Sequence, residues 1–483
     1  MKNVILLIGD GMGPQQLGFF LTFAREASAS PYRGRPSGIE KMMKKGVVAL
    51  SLTHPRGALV VDSAASATQL AIGRYSRSEM IGLDERGESA VSVLEYAKQT
   101  GRATGLVSDT RLTHATPASF AAHQAHRRME NEIALDMIRI GPDVMLGGGM
   151  RNWLGRGKRS FLKCPFPLRS IRKDEFSPLR LARKSDYRIV CSRTQLNAIR
   201  KGKVLGLFSP SGMADGVSYS LRKNDPKREE PSLAEMTRKA LEILARNPRG
   251  FFLMVEGGQI DWAGHANDAG RLLHEMLKFD EAIEVVYQWA RERNDTLVIL
   301  TADHETGGMG FSYSNYGAPG ATRLPGSFFR SRKFKPNYNF VDPEILNRLF
   351  AQKMSYNGIF DRFDEQPASR RTPRKLASLV REYLGFSISV ARARNILRRD
   401  GRGFPRIRDF REFYVSRSRA RSALLARALA RKQGIVWATG THTATPVPFI
   451  TLGPETWSRK FSGLLHHADA GRLMRAALRG KIK

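Results

Sequence analysis

The stretch "FFLMVEGGQIDWAGHAND", residues 251–268, begins with five apolar residues and then places Glu256, Asp261 and His265 within ten positions. The apolar run predicts a buried strand that leads directly into two carboxylates and an imidazole. Burying such charges costs on the order of several kcal/mol unless they pair with other charges or hold a metal ion. The rest of the chain must therefore supply a partner for them.

Two other segments have the same form. "NVILLIGDG" (residues 3–11) and "DTLVILTADHE" (residues 295–305) are short apolar runs that end in glycine or an acid. Helical patterns alternate with these runs: Ser232 and Glu235 predict a capping box at a helix start, and residues 268–293 repeat the pattern. This alternation predicts an α/β fold with a parallel sheet and helices on both of its faces.

The bulk composition allows a large core and excludes few function classes. The chain has 483 residues, of which 41% are hydrophobic, and its 79 Lys+Arg against 45 Asp+Glu give a net charge of +34. We interpret this charge as solubility or composition bias, because no known nucleic-acid-binding signature accompanies it; non-specific contact with nucleic acid stays the alternative. No apolar run is long enough to predict a membrane span, and the start "MKNVILLIGDGMG" is typical of a strand rather than a signal peptide.

Two segments break the alternation of strands and helices. Residues 151–205 are basic and weakly periodic, and residues 310–432 begin with Gly, Pro and Ser and become rich in arginine. We expect both to be insertions in a single catalytic domain that covers residues 1–483. Cys164 and Cys191 lie in the first segment, where they form either one disulfide or two free thiols.

Acids and a histidine follow all three predicted strands. Asp10, Glu256 and the pair Asp303 and His304 stand at these ends, where open α/β sheets bind their ligands. Any one of the acids could simply cap the next helix. Together with Asp261, His265 and His442, they predict a metal site. The mixture of carboxylates and imidazoles favours zinc, and Glu256 among oxygen ligands suits magnesium.

Two further segments offer a nucleophile and a phosphate ligand. In "VVDSAASATQLAIG", Ser63 opens a helix of small residues, either as an ordinary N-cap or as a hydroxyl beside a bound phosphate. In "LTHATPASFAAHQAHRR", Arg127 falls late in a helical stretch that begins at Pro117, where its guanidinium could grip two phosphate oxygens. Read alone, Arg127 would be a surface residue.

Six motifs in order carry a specific resemblance: "IGDGMG", "DSAASAT", "THATPASFAAH", "VEGGQIDWAGH", "TADHETGG" and "THTATPVP". With these motifs, spaced over residues 4–453, the chain resembles the alkaline phosphatase family, and most closely its marine, cold-active type as in the Vibrio enzyme. The resemblance implies a three-layer α/β/α fold and a homodimer. It also implies that residues 310–395 are an insert that can reach over the neighbouring subunit, and that the protein is periplasmic or secreted. The sequence itself leaves a cytoplasmic location open.

The resemblance also implies ligands for two zinc ions and one magnesium ion. One zinc would take Asp261, His265 and His442, and the other Asp10, Asp303 and His304. Magnesium would take Asp10, Thr116 and Glu256. Ser63 would attack a phosphate monoester at alkaline pH to form a phosphoserine, which water then hydrolyses, while Arg127 would hold the phosphate.

Two positions depart from the enteric members of the family, which carry an acid and a lysine near magnesium and phosphate. This chain has His114 and Trp262 there. We expect His114 to weaken the surroundings of the magnesium site and Trp262, in the phosphate-binding region, to loosen the product phosphate. The alternatives are a phosphodiesterase, phosphomutase or sulfatase of the same superfamily, or a polyanion-binding protein with a vestigial site.

Overall fold

A computed structural model of the chain describes residues 1–157, 162–330 and 332–480. Residues 158–161 and 331, which fall inside the two expected insertions, and the terminal residues 481–483 lie outside the described residues. The strands are β1 (Asn3–Gly9), β2 (Val47–Leu52), β3 (Ala103–Arg111), β4 (Val144–Gly148), β5 (Arg188–Val190), β6 (Val204–Leu207), β7 (Phe251–Gly257), β8 (Thr296–Thr301), β9 (Glu305–Thr306), β10 (Met309–Phe311), β11 (Thr322–Arg323), β12 (Lys333–Phe334), β13 (Ile435–Trp437), β14 (His442–Thr443), β15 (Val447–Leu452) and β16 (Leu464–His466).

Nineteen α-helices lie between and after the strands of the described residues. They are α1 (Pro14–Glu26), α2 (Gly38–Lys45), α3 (Ser63–Ile72), α4 (Val93–Gln99), α5 (Ala115–Ala121), α6 (Glu130–Ile140), α7 (Pro178–Lys184), α8 (Arg193–Ala198), α9 (Gly216–Arg222), α10 (Leu233–Leu244), α11 (Gln259–His265), α12 (Ala269–Ala290), α13 (Glu344–Phe350), α14 (Tyr356–Asp364), α15 (Pro373–Leu384), α16 (Val390–Leu397), α17 (Arg417–Gln433), α18 (Glu455–Ser458) and α19 (His467–Arg479). The predicted capping box of Ser232 and Glu235 is present at the start of α10.

Ten strands form one sheet in the order β16-β2-β15-β8-β1-β7-β3-β4-β6-β5. The three predicted strands, β1, β7 and β8, lie side by side at its centre, and β1 pairs in parallel with both of the others. Strand β15 runs antiparallel to its neighbours β8 and β2, whereas the other pairs in the sheet are parallel. The expectation of a mostly parallel central sheet is confirmed.

The sheet separates two apolar cores. Alternate residues of β1 face opposite sides, so that Ile5 and Leu7 join one core while Leu6 and Ile8 join the other. Helices α1, α2, α10 and α12 pack on the first side, and α3 to α6 and α19 on the second. The chain is therefore an α/β protein with three layers, as expected.

The two segments expected as insertions differ in how they meet the sheet. Within residues 151–205, β5 and the first residues of β6 extend the edge of the sheet beyond β4. Residues 312–434 lie between β10 and β13, which pair antiparallel, and they carry helices α13 to α17. The domain boundaries, including those of both insertions, stay a prediction.

Two further features bear on the protein's setting. Cys164 and Cys191 form a disulfide, which decides between the two alternatives left open by the sequence. Within the described ranges, none of the helices combines the length and the apolar character needed to cross a bilayer.

Candidate metal and phosphate site

The ends of the central strands bring the predicted site residues together. Asp10 follows β1, Glu256 lies near the end of β7, and Asp303 and His304 follow β8. Because these three strands are parallel neighbours, their carboxyl ends meet at one edge of the sheet. Gly11 helps to close this edge: its φ is +78°, and a Cβ atom there would lie 2.8 Å from the backbone of Asp261.

Asp261, His265 and His442 form the first group of ligand atoms. Asp261 Oδ1 lies 3.3 Å from Nε2 of His265 and 3.4 Å from Nε2 of His442, and the two Nε2 atoms are 3.2 Å apart. Each imidazole donates from Nδ1 to a backbone carbonyl at 2.8 Å, Gly440 for His265 and Val61 for His442. These bonds fix both rings with Nε2 turned inward, as in metal-ligating histidines.

Asp10, Asp303 and His304 form a second group beside Ser63. His304 Nε2 lies 3.4 Å from Asp10 Oδ1, 3.2 Å from Asp303 Oδ2 and 3.1 Å from Ser63 Oγ. Oδ1 of Asp303 accepts hydrogen bonds from the amides of Gly11 and His304, which leaves Oδ2 directed at the other ligands.

Glu256, Asp10 and His114 also converge, with ligand atoms within 4.8 Å of one another. Oε2 of Glu256 accepts hydrogen bonds from the hydroxyls of Ser108 and Thr110. Thr116 is fully buried in α5, the helix that His114 precedes. From here on, the acid–imidazole cluster denotes the metal-ligand candidates Asp10, Glu256, Asp261, His265, Asp303, His304 and His442.

The oxygens that face the interior of this cluster lack partners in the protein. Both carboxylate oxygens of Asp10, Oε1 of Glu256, Oδ2 of Asp303 and Oγ1 of Thr116 are buried and accept no hydrogen bond from any described residue. Buried polar atoms are almost always satisfied, so this concentration of unsatisfied oxygens points to cations as the missing partners. The donor set of carboxylates and imidazoles fits zinc, and the oxygens around Glu256 fit magnesium.

The protonation behaviour of the cluster agrees with this reading. Burial raises the pKa of Glu256 to about 8 and, together with the charge of Asp261, that of Asp303 to about 6; the pKa of Asp10 is raised well above its usual range. Burial also lowers the pKa of His265 to about 3 and holds that of His304 well below its ordinary value. Burial also lowers the pKa of His442, but the hydrogen bond and the charge of Asp261 outweigh it and raise that pKa above its ordinary value. One cationic imidazole cannot offset four acids, so the cluster lacks positive charge.

Ser63 is the first residue of α3, but it is not the N-cap. Asp62 caps the helix by accepting hydrogen bonds from the amides of Ala64 and Ala65, and it also forms an ion pair with Arg127, Nη1 to Oδ2 2.9 Å. The Ser63 hydroxyl is therefore not used as a helix cap and lies 3.1 Å from His304 Nε2. The capping role that the sequence left open for Ser63 belongs to Asp62.

The structure corrects the expected position of Arg127. The helix around Pro117 is α5, which ends at Ala121, and Arg127 lies six residues beyond it in a turn. Ala122 adopts extended backbone, and Gln124 pairs with Ile81 across the turn. Despite this difference, Arg127 reaches the site, where its Nη2 lies 3.4 Å from His114 Nε2.

A cavity of about 520 Å³ gives access to these groups. Its lining includes Ser63, Arg127, His114 and Trp262, and the rings of His114 and Trp262 meet edge to face with centroids 6.0 Å apart. Burial and the neighbouring charges of Arg111 and Arg127 hold the pKa of His114 well below its ordinary value. His114 is thus a neutral imidazole between the Glu256 end of the cluster and Arg127.

Sequence reasoning missed several residues that support the site. Thr306 donates to Oδ1 of Asp261 at 2.6 Å and lies 3.2 Å from Nδ1 of His304. Asp109 accepts a hydrogen bond from the amide of Gly258 at 2.7 Å and pairs with Lys278 at 2.9 Å, and its charge helps to raise the pKa of Glu256. We define the ion-pair cluster as Asp109, Arg271, Glu275 and Lys278. An acid directly before a helix start could have identified Asp62, whereas nothing in the sequence connects Asp109 to Lys278.

Comparison with known proteins matches the chain to one family. The family model "Alkaline phosphatase" matches residues 1–327. Alkaline phosphatase 3 of Bacillus subtilis is 30% identical, over 100% of this chain and 90% of the relative. The solved structure of Thermus thermophilus alkaline phosphatase has a TM-score of 0.81 at 25% identity and covers 100% of this chain and 92% of its own. That of the cold-active alkaline phosphatase from a Shewanella species has a TM-score of 0.73 at 25% identity and covers 99% of each chain.

The family model covers residues 1–327, while the relative and the two solved structures cover 99–100% of the chain, and together they confirm the resemblance carried by the six motifs. The chain therefore belongs to the alkaline phosphatase family and is a phosphatase.

Proposed function

We propose that the protein hydrolyses phosphate monoesters at alkaline pH through a phosphoserine formed on Ser63. The observation that carries this proposal is the position of the Ser63 hydroxyl. Its Oγ opens into the cavity, 3.1 Å from His304 Nε2, and beside it Arg127 lines the same cavity. A nucleophile, a planar cation and the ligand group of Asp261, His265 and His442 thus line one space large enough for a phosphate ester.

In the first displacement, Ser63 Oγ bonds to phosphorus and the bond from phosphorus to the alcohol oxygen breaks. In the second, a water oxygen bonds to phosphorus and the bond to Ser63 Oγ breaks, which releases inorganic phosphate. Arg127 binds non-bridging oxygens in both steps, and its ion pair with Asp62 holds the guanidinium in place beforehand. The first turn of α3 adds amide dipoles that favour negative charge at Ser63.

The residues that would hold metal ions are those implied by the family. One zinc would be held by Asp261, His265 and His442, and a second by Asp10, Asp303 and His304. Magnesium would be held by Asp10, Thr116 and Glu256. When bound, such ions supply Lewis acidity that lowers the pKa of a nearby hydroxyl and offsets charge on phosphate oxygens. The two unsatisfied oxygens of Asp10 support a bridging role for that residue.

The replacement of Ser63 by alanine tests the nucleophile. Ser63→Ala should lower kcat on p-nitrophenyl phosphate by at least about 1,000-fold, because the covalent route is lost. Ser218→Ala, an exposed serine in the first turn of α9, is the matched control and should keep wild-type activity. Acid quenching during turnover of a ³²P-labelled monoester should trap label on Ser63. Turnover in Ser63→Ala within tenfold of the wild type would refute the proposal.

Substrate class is tested in the same assay with a diester. We expect hydrolysis of p-nitrophenyl phosphate to exceed that of bis(p-nitrophenyl) phosphate by at least about 100-fold, because Arg127 and the acid–imidazole cluster face a terminal phosphoryl group. A preference for the diester would favour the phosphodiesterase alternative. Retention on heparin without any bound metal or turnover would favour the polyanion-binding alternative.

We further propose a periplasmic or secreted homodimer. The disulfide between Cys164 and Cys191 supports an oxidising compartment. Exposed aromatic side chains along residues 311–340, including Tyr313, Phe328 and Phe340, support burial of that segment against a second copy. Light scattering should give a mass near 108 kDa, about twice the 54.0 kDa of the chain. A monomeric mass at micromolar concentration would refute the dimer.

A further inference from the structure

Arg419, on the first turn of α17, lines the cavity that contains Ser63. It comes from the long segment between β10 and β13 rather than from the sheet, and with Val415 it forms the side of the cavity near Thr441 and His442. Among the described residues its guanidinium has no ion pair and no hydrogen bond; only its backbone amide is bonded, to the Ser416 side chain.

The neighbouring arginines of α17 are accounted for by partners within the protein. Arg421 pairs with Asp364 at 2.6 Å and stacks on the ring of Phe360, and Arg417 donates to the carbonyl of Arg402 at 3.0 Å. A cation in the first turn of a helix opposes the helix dipole, and this turn contains no acid. Arg419 therefore occupies a position that is unfavourable for the helix and unexplained by contacts within the protein.

The charge of Arg419 acts on one side of the acid–imidazole cluster. Its charge acts on His265, and the charges of Asp261 and Arg127 act on Arg419. Ser63 lies instead beside His304, in the group with Asp10 and Asp303. In an in-line displacement by Ser63, the departing alcohol points away from Ser63, toward Asp261, His265 and His442. Arg419 lines the same cavity as this group, so a charged substituent on the departing alcohol would come within reach of its guanidinium.

We infer that Arg419 is a specificity-determining residue that binds a second anionic group, a carboxylate or a phosphate, on the leaving alcohol. The inference rests on the proposed function, because it places the leaving group by the attack of Ser63. Of the other arginines that line the cavity, Arg127 pairs with Asp62 and is assigned to the transferred phosphoryl group, Arg111 makes a bidentate contact with Glu130, and Arg128 is exposed to solvent. An unpaired guanidinium at the mouth is suited to a carboxylate or phosphate that enters from outside.

A pair of matched probes tests this inference: glycerol 3-phosphate, whose leaving group is neutral, and 3-phosphoglycerate, whose leaving group carries a carboxylate. The quantity measured is the ratio of kcat/KM for 3-phosphoglycerate to that for glycerol 3-phosphate, at fixed salt. Arg419→Gln should lower this ratio about tenfold, the effect of one charged hydrogen bond. Arg431→Gln removes the same charge from the exposed end of α17 and should leave the ratio within twofold of the wild type.

A second variant distinguishes the loss of anion binding by Arg419 from a defect in folding. Arg419→Glu places an acid three residues after the N-cap Ser416, where it would complete a capping box and favour the helix. It should keep or raise the melting temperature and lower the ratio further than Arg419→Gln. A ratio within twofold of the wild type in both Arg419 variants would overturn the inference. If Ser63→Ala still abolishes turnover of both probes, the proposed function survives that result; full turnover in Ser63→Ala would refute the proposed function instead.

Discussion

Two groups of buried charges lie on either side of Gly258, and they are neutralised in different ways. In the ion-pair cluster, each carboxylate lies close to a cation of the chain: Lys278 Nζ is 2.9 Å from Asp109 and 2.6 Å from Glu275, and Arg271 Nε is 3.1 Å from Glu275. These charges raise the pKa of Lys278 although burial lowers it. Each charge of the group therefore has a partner of opposite sign within the chain.

The acid–imidazole cluster is equally buried but has no such cations. Burial keeps His265 and His304 neutral, and only His442 has a raised pKa, through its contact with Asp261. The pKa values of the other three acids, Asp10, Glu256 and Asp303, are raised rather than lowered. A stable fold can bury acids in either way, but only the first way supplies the counter-charge from the sequence itself. It follows that bound cations supply the charge that the acid–imidazole cluster lacks.

The largest expected effect comes from removing the charge of Lys278 from the ion-pair cluster. Lys278→Met should destabilise the protein by about 3–5 kcal/mol, because Asp109 and Glu275 would lose their shared buried partner. Urea denaturation of variant and wild type measures the difference in free energy of unfolding. Lys41→Met, which removes a partly exposed ion pair with Glu284, is the control and should cost less than about 1 kcal/mol. Equal losses in the two variants would mean that the ion-pair cluster contributes no more than a surface pair.

The second prediction is that the same change, Asp to Asn, has opposite effects on stability in the two clusters. Asp10→Asn removes one of several crowded acids, so it should stabilise the chelator-treated protein by about 1–3 kcal/mol while it weakens metal binding. Asp109→Asn, the matched change in the ion-pair cluster, should destabilise the protein with or without chelator. Thermal unfolding of both variants with and without added zinc measures these shifts. Destabilisation of the chelator-treated protein by Asp10→Asn would contradict the account.

The two clusters could be predicted from the sequence to different extents, and the reasons are physical. The acids of the acid–imidazole cluster follow apolar runs, and parallel strands deliver such ends to one edge, so local patterns were sufficient. In the ion-pair cluster, the spacing of Arg271, Glu275 and Lys278 on α12 is visible in the sequence, but Asp109 joins them only through tertiary packing.

The same distinction explains the errors at the periphery. The helical stretch predicted from Pro117 through Arg127 ends early, because Gln124 pairs with Ile81 in a strand-like bridge and Arg127 then lies in a turn. The strand β5, only three residues long, is too short for its pattern to be distinguished from a loop. Arg419 could not be assigned to the cavity, because its position depends on how α17 packs against α14, α16 and β13.

The third prediction concerns Asp268, the N-cap of α12, whose carboxylate accepts from Gln352 and from the amide of Tyr356. Burial raises its pKa to about 6, above the value in an unfolded chain. The contribution of the acid is therefore fully present below about pH 4 and is lost as the pH rises through about 6. The stability of the wild type relative to Asp268→Asn should be greater at pH 4 than at pH 7, by about 1–2 kcal/mol.

Urea titrations of wild type and Asp268→Asn in chelator, from pH 4 to pH 7, measure this difference free of metal loss. A difference between the two proteins that stays constant with pH would show that Asp268 titrates in the folded state as it does in the unfolded chain.

The smallest expected effect is at the magnesium end of the acid–imidazole cluster. His114→Asp should tighten magnesium about tenfold, because a carboxylate replaces a neutral imidazole near Asp10 and Glu256. Inhibition by inorganic phosphate should strengthen with it. Calorimetric titration of magnesium and phosphate inhibition constants provide the measurements. His126→Asp, at a histidine that instead contacts Glu79, is the control and should change neither constant. Unchanged phosphate inhibition in His114→Asp would refute this prediction.

The central claim is that divalent cations complete the acid–imidazole cluster, and metal analysis tests it most directly. We predict that the purified protein, after dialysis against zinc and magnesium and removal of free ions, holds two zinc ions and one magnesium ion per chain. Chelation should abolish turnover, and restoring both metals should recover it. A protein that retains less than one ion per chain under these conditions, with its folding and turnover unaffected by chelator, would contradict the account.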